Sequence, residues 1–166
     1  MGFEPAILNA SIRDVRCGHG VKIVAPANVY ECELGDNCFV GPFVEIQKGV
    51  TIGARTRVQS HSFICELVSI GADCFIGHGV MFINDVFAVG GPARGRQELW
   101  RSTTIGSRVS IGSNATLMPV SICDDVVIGA GAVVTRDIEK PGFYVGNPAR
   151  FLRPMTHKDE PSHGDK

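Results

Sequence analysis

A six-residue spacing of aliphatic side chains constrains this chain more than any other feature of its sequence. The spacing runs without a gap from Leu34 to Phe82 and resumes at Ile105. Its members are Leu34, Val40, Ile46, Ile52, Val58, Ile64, Ile70, Ile76 and Phe82, then Ile105, Ile111, Leu117, Ile122, Ile128 and Val134, with Val29, Ile23 and Cys17 before them. Two steps, from Val29 to Leu34 and from Leu117 to Ile122, are five residues long. Six residues turn a helix by about 600°, which would spread these side chains over all its faces. The spacing therefore argues against a helix.

A second column of small or β-branched residues follows each aliphatic residue by four positions, as Cys38 follows Leu34. Residues two apart on a strand share one side, so both columns are expected to face inward. Glycine recurs directly after the aliphatic residue, where a tight corner is expected to need a permissive backbone. Three six-residue sides make an 18-residue triangular coil. The 18 repeats predict an all-β, single-stranded parallel solenoid of about six coils.

The composition of the chain excludes some classes of function. The chain has 166 residues, 20 of them glycine, and a net charge of −1, so it offers no broad basic field for duplex nucleic acid or an anionic membrane. No leader-like segment and no long apolar run is present, which predicts a soluble, cytoplasmic protein. The six cysteines lack Cys-x-x-Cys spacing and are expected to be small buried hydrophobes.

The repeat is interrupted once, by 17 extra residues between Phe82 and Ile105. The insertion, about residues 84–103, carries the only tryptophan and three arginines, a composition that predicts a functional loop. Residues 18 apart should lie one coil, about 4.8 Å, apart. This rule stacks Lys48, Glu66 and Asn84 into one polar column that leads to the loop. It also places His61 and His78 in adjacent columns of adjacent coils, where they could approach each other.

The repeats resemble the left-handed parallel β-helix of the hexapeptide-repeat acyltransferases over roughly residues 17–150. This resemblance implies the handedness of the coil and a homotrimer with active sites between neighbouring prisms. Residues 75–85 (FIGHGVMFIND) look like the nucleotide-linked amino-sugar N-acetyltransferases that build surface polysaccharides such as lipopolysaccharide. In that group the asparagine matching Asn84 holds the amine of the sugar.

The resemblance implies an acceptor site at the loop and a donor site near the C-terminus. For the acceptor we expect Asn84, Glu66 and His78 in catalysis, with Glu66 orienting the amine or sugar and His78 as a reserve base. Asp85, Arg94 and His61 are expected to contact the substrate. Residues 128–137 (IGAGAVVTRD) and 145–150 (VGNPAR) are similar to the acyl-CoA-binding end of the family. Acetyl-CoA is therefore the expected donor, held by Gly112, Ala130, Arg136, Asn147 and Arg150.

Two departures from the family pattern matter. Sugar O-acetyltransferases carry a histidine base within the loop, in the pattern N-x-x-x-x-H, and residues 84–89 (NDVFAV) have none. This lowers the ranking of acetyl transfer to a hydroxyl. Pro119 is followed by Val120 instead of glycine, so the geometry of that coil is expected to deviate. No three-histidine or His-x-x-x-His pattern is present, and we expect no metal.

Three functions stay open at this point. The first is an acetyl-CoA-dependent N-acetyltransferase acting on a UDP- or dTDP-linked amino sugar. The second is a hexapeptide acyltransferase for another acceptor, such as a hydroxyl sugar or an amino acid. The third is a non-catalytic solenoid used in assembly. The expected organisation is one β-helix domain over residues 1–154 and a disordered polar tail over residues 155–166.

Overall fold

The computed structural model describes residues 11–156, and these form very short strands, most of them two residues long. In chain order the strands are β1 (Arg16–Cys17), β2 (Lys22–Ile23), β3 (Asn28–Val29), β4 (Glu33–Leu34), β5 (Phe39–Val40), β6 (Glu45–Ile46), β7 (Thr51–Ile52), β8 (Arg57–Val58), β9 (Phe63–Ile64), β10 (Val68–Ile70), β11 (Phe75–Ile76), β12 (Met81–Phe82), β13 (Thr103–Ile105), β14 (Ser110–Ile111), β15 (Thr116–Leu117), β16 (Ser121–Ile122), β17 (Val126–Ile128), β18 (Val133–Val134), β19 (Gly142–Val145) and β20 (Arg150–Arg153). The predicted tail lies outside the described residues except for its first two.

Every third strand joins the same sheet, and three parallel sheets form the faces of a triangular prism. Face 1 is β1-β4-β7-β10-β13-β16, face 2 begins β2-β5-β8-β11-β14-β17, and face 3 is β3-β6-β9-β12-β15-β18. The chain is thus a left-handed parallel β-helix of six full coils, and Ile138 and β19 begin a seventh. β20 returns antiparallel to β19 and forms a hairpin at the end of the prism. The predicted fold is confirmed.

The aliphatic column fills the prism. From Val29 to Val134 its members are at most 4% exposed, and Phe82 is the largest fully buried side chain. The second column also faces inward, and its polar members hydrogen-bond to the coil above: Thr56 donates to the Gly71 carbonyl at 2.9 Å and Ser62 to the Gly77 carbonyl at 2.7 Å. Because these hydroxyls find acceptors, they can replace an apolar side chain inside the prism.

The corner glycines have a different physical cause from the one expected. Gly35, Gly53 and Gly71 do not have positive φ; a Cβ built on each would come within 2.5–2.6 Å of backbone atoms in the next coil. The left-handed conformation falls instead two residues later, at Asn37 and Arg55, for example, with φ of 57° and 60°. Close contact between coils therefore selects these glycines, and backbone permissiveness does not.

Two further expectations need correction. The five-residue step after Leu117 leaves the coil in register, with Thr104 opposite Ser121, because Val120 packs inward at 3% exposed. Of the cysteines, Cys17 is exposed and Cys123 half-buried, while the other four are buried. Cys17 is exposed because it lies in the first coil described. No helix within residues 11–156 is long and apolar enough to cross a membrane.

Candidate functional site

The insertion is an ordered loop that leaves the prism at the corner between face 3 and face 1, which we call the third corner. The Asp85 carboxylate accepts hydrogen bonds from the backbone N–H groups of Phe87, at 2.9 Å, and Ala93, at 2.7 Å. The Arg101 N–H donates to the Asn84 carbonyl at 2.9 Å and closes the base of the loop. Asp85, a predicted substrate contact, thus has both carboxylate oxygens engaged in holding the loop.

The loop carries uncompensated positive charge. Arg94, Arg96 and Arg101 are exposed, and none of them forms an ion pair within residues 11–156. The loop also contains a short 3-10 helix, Gln97–Leu99, which contributes the exposed carboxylate of Glu98. Guanidinium groups without carboxylate partners are suited to phosphate oxygens.

Asn84 and Glu66 meet directly below the loop. The Asn84 side-chain amide donates from Nδ2 to the Glu66 carbonyl oxygen at 3.3 Å, and the Glu66 N–H donates to the Gln47 side chain at 3.3 Å. Lys48, in the same column one coil lower, pairs with Glu31 at 3.6 Å. The Glu66 carboxylate and the Asn84 amide oxygen therefore have no hydrogen-bond partner among the described residues, and both can accept a bond from an amine.

The two candidate histidines lie on the second corner, between face 2 and face 3. His78 Nδ1 is 2.8 Å from the Ser60 hydroxyl oxygen, and the His61 ring stacks on Phe43 with centroids 4.8 Å apart. The histidines are thus held by separate partners. Within one chain, six residues separate His78 from Asn84, an extended span of at most about 20 Å. The structure brings Glu66 and Asn84 together but places the histidines at another corner.

Two of the predicted donor residues share a cleft at the C-terminal end. Arg136 and Arg150 line a cavity of about 190 Å³ together with Tyr144 and Phe151. The rings of Tyr144 and Phe151 meet edge to face at 5.5 Å, and Phe151 is 52% exposed. Two guanidinium groups beside an exposed ring form a suitable contact for a phosphorylated aromatic ligand.

The other predicted donor residues are not among those that line this cleft. Ala130 is exposed at the second corner of coil 6, and Asn147 is exposed in the turn between β19 and β20. Gly112 lies directly beneath Ala130, and a Cβ at this glycine would collide with the Ala130 backbone nitrogen. Gly112 therefore has a packing role whatever it contributes to a ligand.

The buried thiols are poor nucleophiles. Burial raises the pKa of Cys32 to about 11 and that of Cys65 to about 12, and it also raises the pKa of Cys38, Cys74 and Cys123. A thiol with a raised pKa is almost wholly protonated at neutral pH, and the thiolate is the reactive form. These five cysteines do not suit a covalent acyl-enzyme intermediate.

No cluster of three His, Cys, Asp or Glu side chains that could hold a metal ion lies in the described part of the chain. The expectation of a metal-free site stays a prediction.

Two residues that contact the histidines were not predicted from the sequence, although the spacing of the repeat indicates both. Ser60 lies 18 residues before His78, and Phe43 lies 18 before His61, so the one-coil spacing places each directly below its histidine. Applied to the second corner as it was to the third, the rule would have found both.

Two family models match the chain. One, described as bacterial transferase hexapeptide (six repeats), matches residues 31–66, and another, described as the hexapeptide repeat of succinyl-transferase, matches residues 102–136. Among curated relatives, the bifunctional protein GlmU of Streptococcus uberis is 27% identical over 168 residues, which is all of this chain and 34% of that protein. The chain thus spans about a third of the length of that relative.

Solved structures share the fold. A mutant of perosamine N-acetyltransferase from Caulobacter crescentus, in complex with CoA and GDP-perosamine, matches 80% of this chain and 57% of its own with a TM-score of 0.68 at 24% identity. A galactoside acetyltransferase in complex with coenzyme A matches 92% of this chain and 70% of its own with a TM-score of 0.64 at 23% identity. The fold is the one that these acetyltransferases have.

Proposed function

We propose that this chain, which hexapeptide-repeat family models match over residues 31–66 and 102–136, is an acyl-CoA-dependent N-acetyltransferase. Its acceptor in this proposal is the amine of a UDP- or dTDP-linked amino sugar. The observation that carries the proposal is the pair of unpartnered acceptors, the Asn84 amide oxygen and the Glu66 carboxylate, at the base of an arginine-bearing loop that lacks histidine.

The reaction needs positioning more than it needs a strong base. A neutral amine attacks the thioester carbonyl, a C–N bond forms, the C–S bond breaks, and the CoA thiolate leaves. The proton lost by the amine goes to the departing sulfur or to Glu66. Asn84 accepts a hydrogen bond from the amine and fixes the direction of its lone pair, while a backbone N–H at the coil edge stabilises the oxyanion.

The donor lies above the loop in this proposal. Arg136 and Arg150 bind the CoA phosphates in their shared cleft, and Ala130 and Asn147 contact pantetheine and adenine from the neighbouring corner. Relatives of known structure carry CoA or acetyl-CoA, which supports this class of donor. Because Gly112 packs directly against the Ala130 backbone, Gly112 allows the two coils to approach closely at the second corner.

The loop provides the countercharge for the diphosphate of the acceptor. Arg94 is one of the three exposed arginines of the loop, none of which forms an ion pair with a described residue, and a guanidinium matches phosphate oxygens in pairs. Asp85 acts on this contact through the two backbone hydrogen bonds that order the loop. A homotrimer in the cytoplasm, with the site between prisms, is part of the same proposal.

Acetyl transfer to a hydroxyl is the second candidate, and one observation favours it. When Nδ1–H of His78 donates to the Ser60 hydroxyl oxygen, 2.8 Å away, the unprotonated Nε2 can take a proton, as the attack of a hydroxyl requires. A panel of amino and hydroxyl sugars with acetyl-CoA, read by thiol release, separates the two candidates.

Steady-state kinetics on single variants test the proposed site. Asn84→Ala should lower kcat/KM for the amino acceptor by about 100-fold or more, because the amine loses its alignment. Glu66→Gln should lower it less, and His78→Ala should leave kcat nearly unchanged. Glu33→Gln is the matched control, since Glu33 is an exposed carboxylate on face 1 that pairs with Arg16. Loss of turnover in His78→Ala with normal turnover in Asn84→Ala would refute the positioning mechanism.

A further inference from the structure

The second corner carries two stacked rings at a backbone position that suits glycine or asparagine. Phe43 has φ of 60° and His61 has φ of 63°, and their rings are 4.8 Å apart and inclined by 19°. At the same position higher coils have Gly79, Asn114 and Gly131. A bulky side chain seldom adopts positive φ, and strained positions of this kind concentrate at functional sites.

The described residues leave both rings of the stack largely exposed. Phe43 is 58% exposed, although burial of an aromatic ring would contribute to stability, and His61 is exposed as well. Polar groups flank the rings: the Ser60 hydroxyl and His78 form the adjacent hydrogen-bonded pair, and the Asn114 amide oxygen lies over Gly79, the residue above His61. The corner thus combines an aromatic surface with donors and acceptors at its edge.

The stack and Asn84 lie at the two corners that bound face 3, and the stack lies in the coils below Asn84. Phe43 and His61 belong to coils 2 and 3, below the loop, whereas the proposed donor residues belong to coils 5 to 7, above it. The sugar end of the acceptor is assigned to Asn84 in coil 4. The opposite end of a nucleotide-linked sugar is its base, which must lie away from the donor.

We propose that the Phe43–His61 stack is a platform for the base of the nucleotide. This inference rests on the proposed function. It assigns a binding site to the nucleotide base, for which no residue at the third corner has been proposed. A planar base continues the column of parallel rings, and its edge meets Ser60, His78 and Asn114. Stacking favours any base, since each has a π face, while the edge groups select among them.

Calorimetric titration of the full chain tests the platform with UDP and dTDP as probes and inorganic pyrophosphate as the probe without a base. Wild type should bind the nucleotides more tightly than pyrophosphate. Phe43→Ala and His61→Ala should each weaken nucleotide binding about 5- to 100-fold and leave pyrophosphate binding unchanged. Phe43→Tyr, which keeps the ring, should bind nearly as wild type does.

Phe75→Ala is the matched control, because Phe75 is an exposed ring on face 2 outside the platform. Equal affinity of wild type for pyrophosphate and the nucleotides would overturn the inference. So would unchanged nucleotide binding in Phe43→Ala, or a change in its sedimentation coefficient that marks the stack as a contact between copies. The proposed function fails on a different result, namely no thiol release with any amino sugar.

Discussion

At the scale of single residues, each corner of the coil has two positions with different steric requirements. One position must lack a Cβ because the next coil passes too close, and glycine fills it at Gly35, Gly53 and Gly71. The other adopts positive φ, and its side chains lie at the surface, as those of Asn37 and Arg55 do. A side chain at the second position costs only backbone strain, which leaves that position free to carry functional groups such as His61.

Gly53→Ala should therefore destabilise the fold by about 1–3 kcal/mol, because the added methyl group would meet the Ala72 backbone nitrogen and force the coils apart. Urea unfolding followed by circular dichroism measures the loss. Gly91→Ala is the control, since Gly91 has no atom within 4 Å of the added Cβ and no positive φ. Equal stability of the two variants would show that contact between coils does not select glycine.

At the scale of the element, the first corner, between face 1 and face 2, carries a vertical ladder of ion pairs. Arg55 binds Asp73 through two hydrogen bonds of 2.6 and 2.7 Å, and Arg108 binds Asp125 at 2.7 Å and Asp124 at 3.1 Å. The hydrogen bonds from Arg55 lower the pKa of Asp73, and those from Arg108 lower the pKa of Asp125. Since these groups are exposed, each pair adds little stability by itself.

The ladder predicts a small acid-dependent loss of stability. A lowered carboxyl pKa stabilises the fold above the ordinary value of about 3.9, and this contribution is lost as the pH falls through the folded pKa. Asp73→Asn should lower the melting temperature at pH 7, and its difference from wild type should shrink as the pH falls below the ordinary carboxyl pKa of about 3.9 and through the lowered pKa of Asp73. Glu139→Gln, which removes an exposed carboxylate outside the ladder, should differ little from wild type at any pH. A difference from wild type that stays the same size as the carboxylates become protonated would contradict the assignment.

The coils also differ in how much each contributes to the core. Ile64 is fully buried in coil 3, whereas Ile23 in the first coil is only half-buried. In a solenoid each repeat contacts only its neighbours, so an end coil has fewer contacts to lose. Ile64→Ala should cost about 2–5 kcal/mol in urea unfolding and Ile23→Ala clearly less. Equal costs would mean that the first coil is covered by a partner.

At the scale of the whole molecule, the loop in coil 4 divides the prism into two parts. The proposed acceptor groups, Glu66 and His61, lie level with the loop or below it, and the cleft of Arg136 and Arg150 lies at the C-terminal end. In a stack of nearly identical coils, no coil differs from its neighbours in structure. The inserted loop makes coil 4 different, and the proposed chemistry is assigned there for this reason.

Donor binding should appear as stabilisation of the whole prism. Acetyl-CoA at 100 times its Kd should add about 2.7 kcal/mol to the free energy of unfolding and raise the melting temperature. Arg136→Ala and Arg150→Ala should each reduce the shift, because each removes a charged contact with phosphate. Arg16→Ala, at the opposite end of the prism, is the control. The absence of any shift in wild type would favour the non-catalytic scaffold.

The sequence alone determined the prism. Its six-residue period set the three faces, the inward columns and the number of full coils, because a repeated local pattern can satisfy itself only by stacking. The 18-residue spacing also placed Glu66 below Asn84, where the structure has them in contact. These features follow from spacing along the chain, which the sequence states directly.

Only the tertiary structure decided how the irregular parts lie. It showed that Asp85 holds the loop and that Arg136 and Arg150 share a cleft. It also showed that close contact between coils, and not backbone freedom, requires glycine at these corners. These facts depend on side-chain direction and on distances across the prism, and a linear spacing carries no information about either.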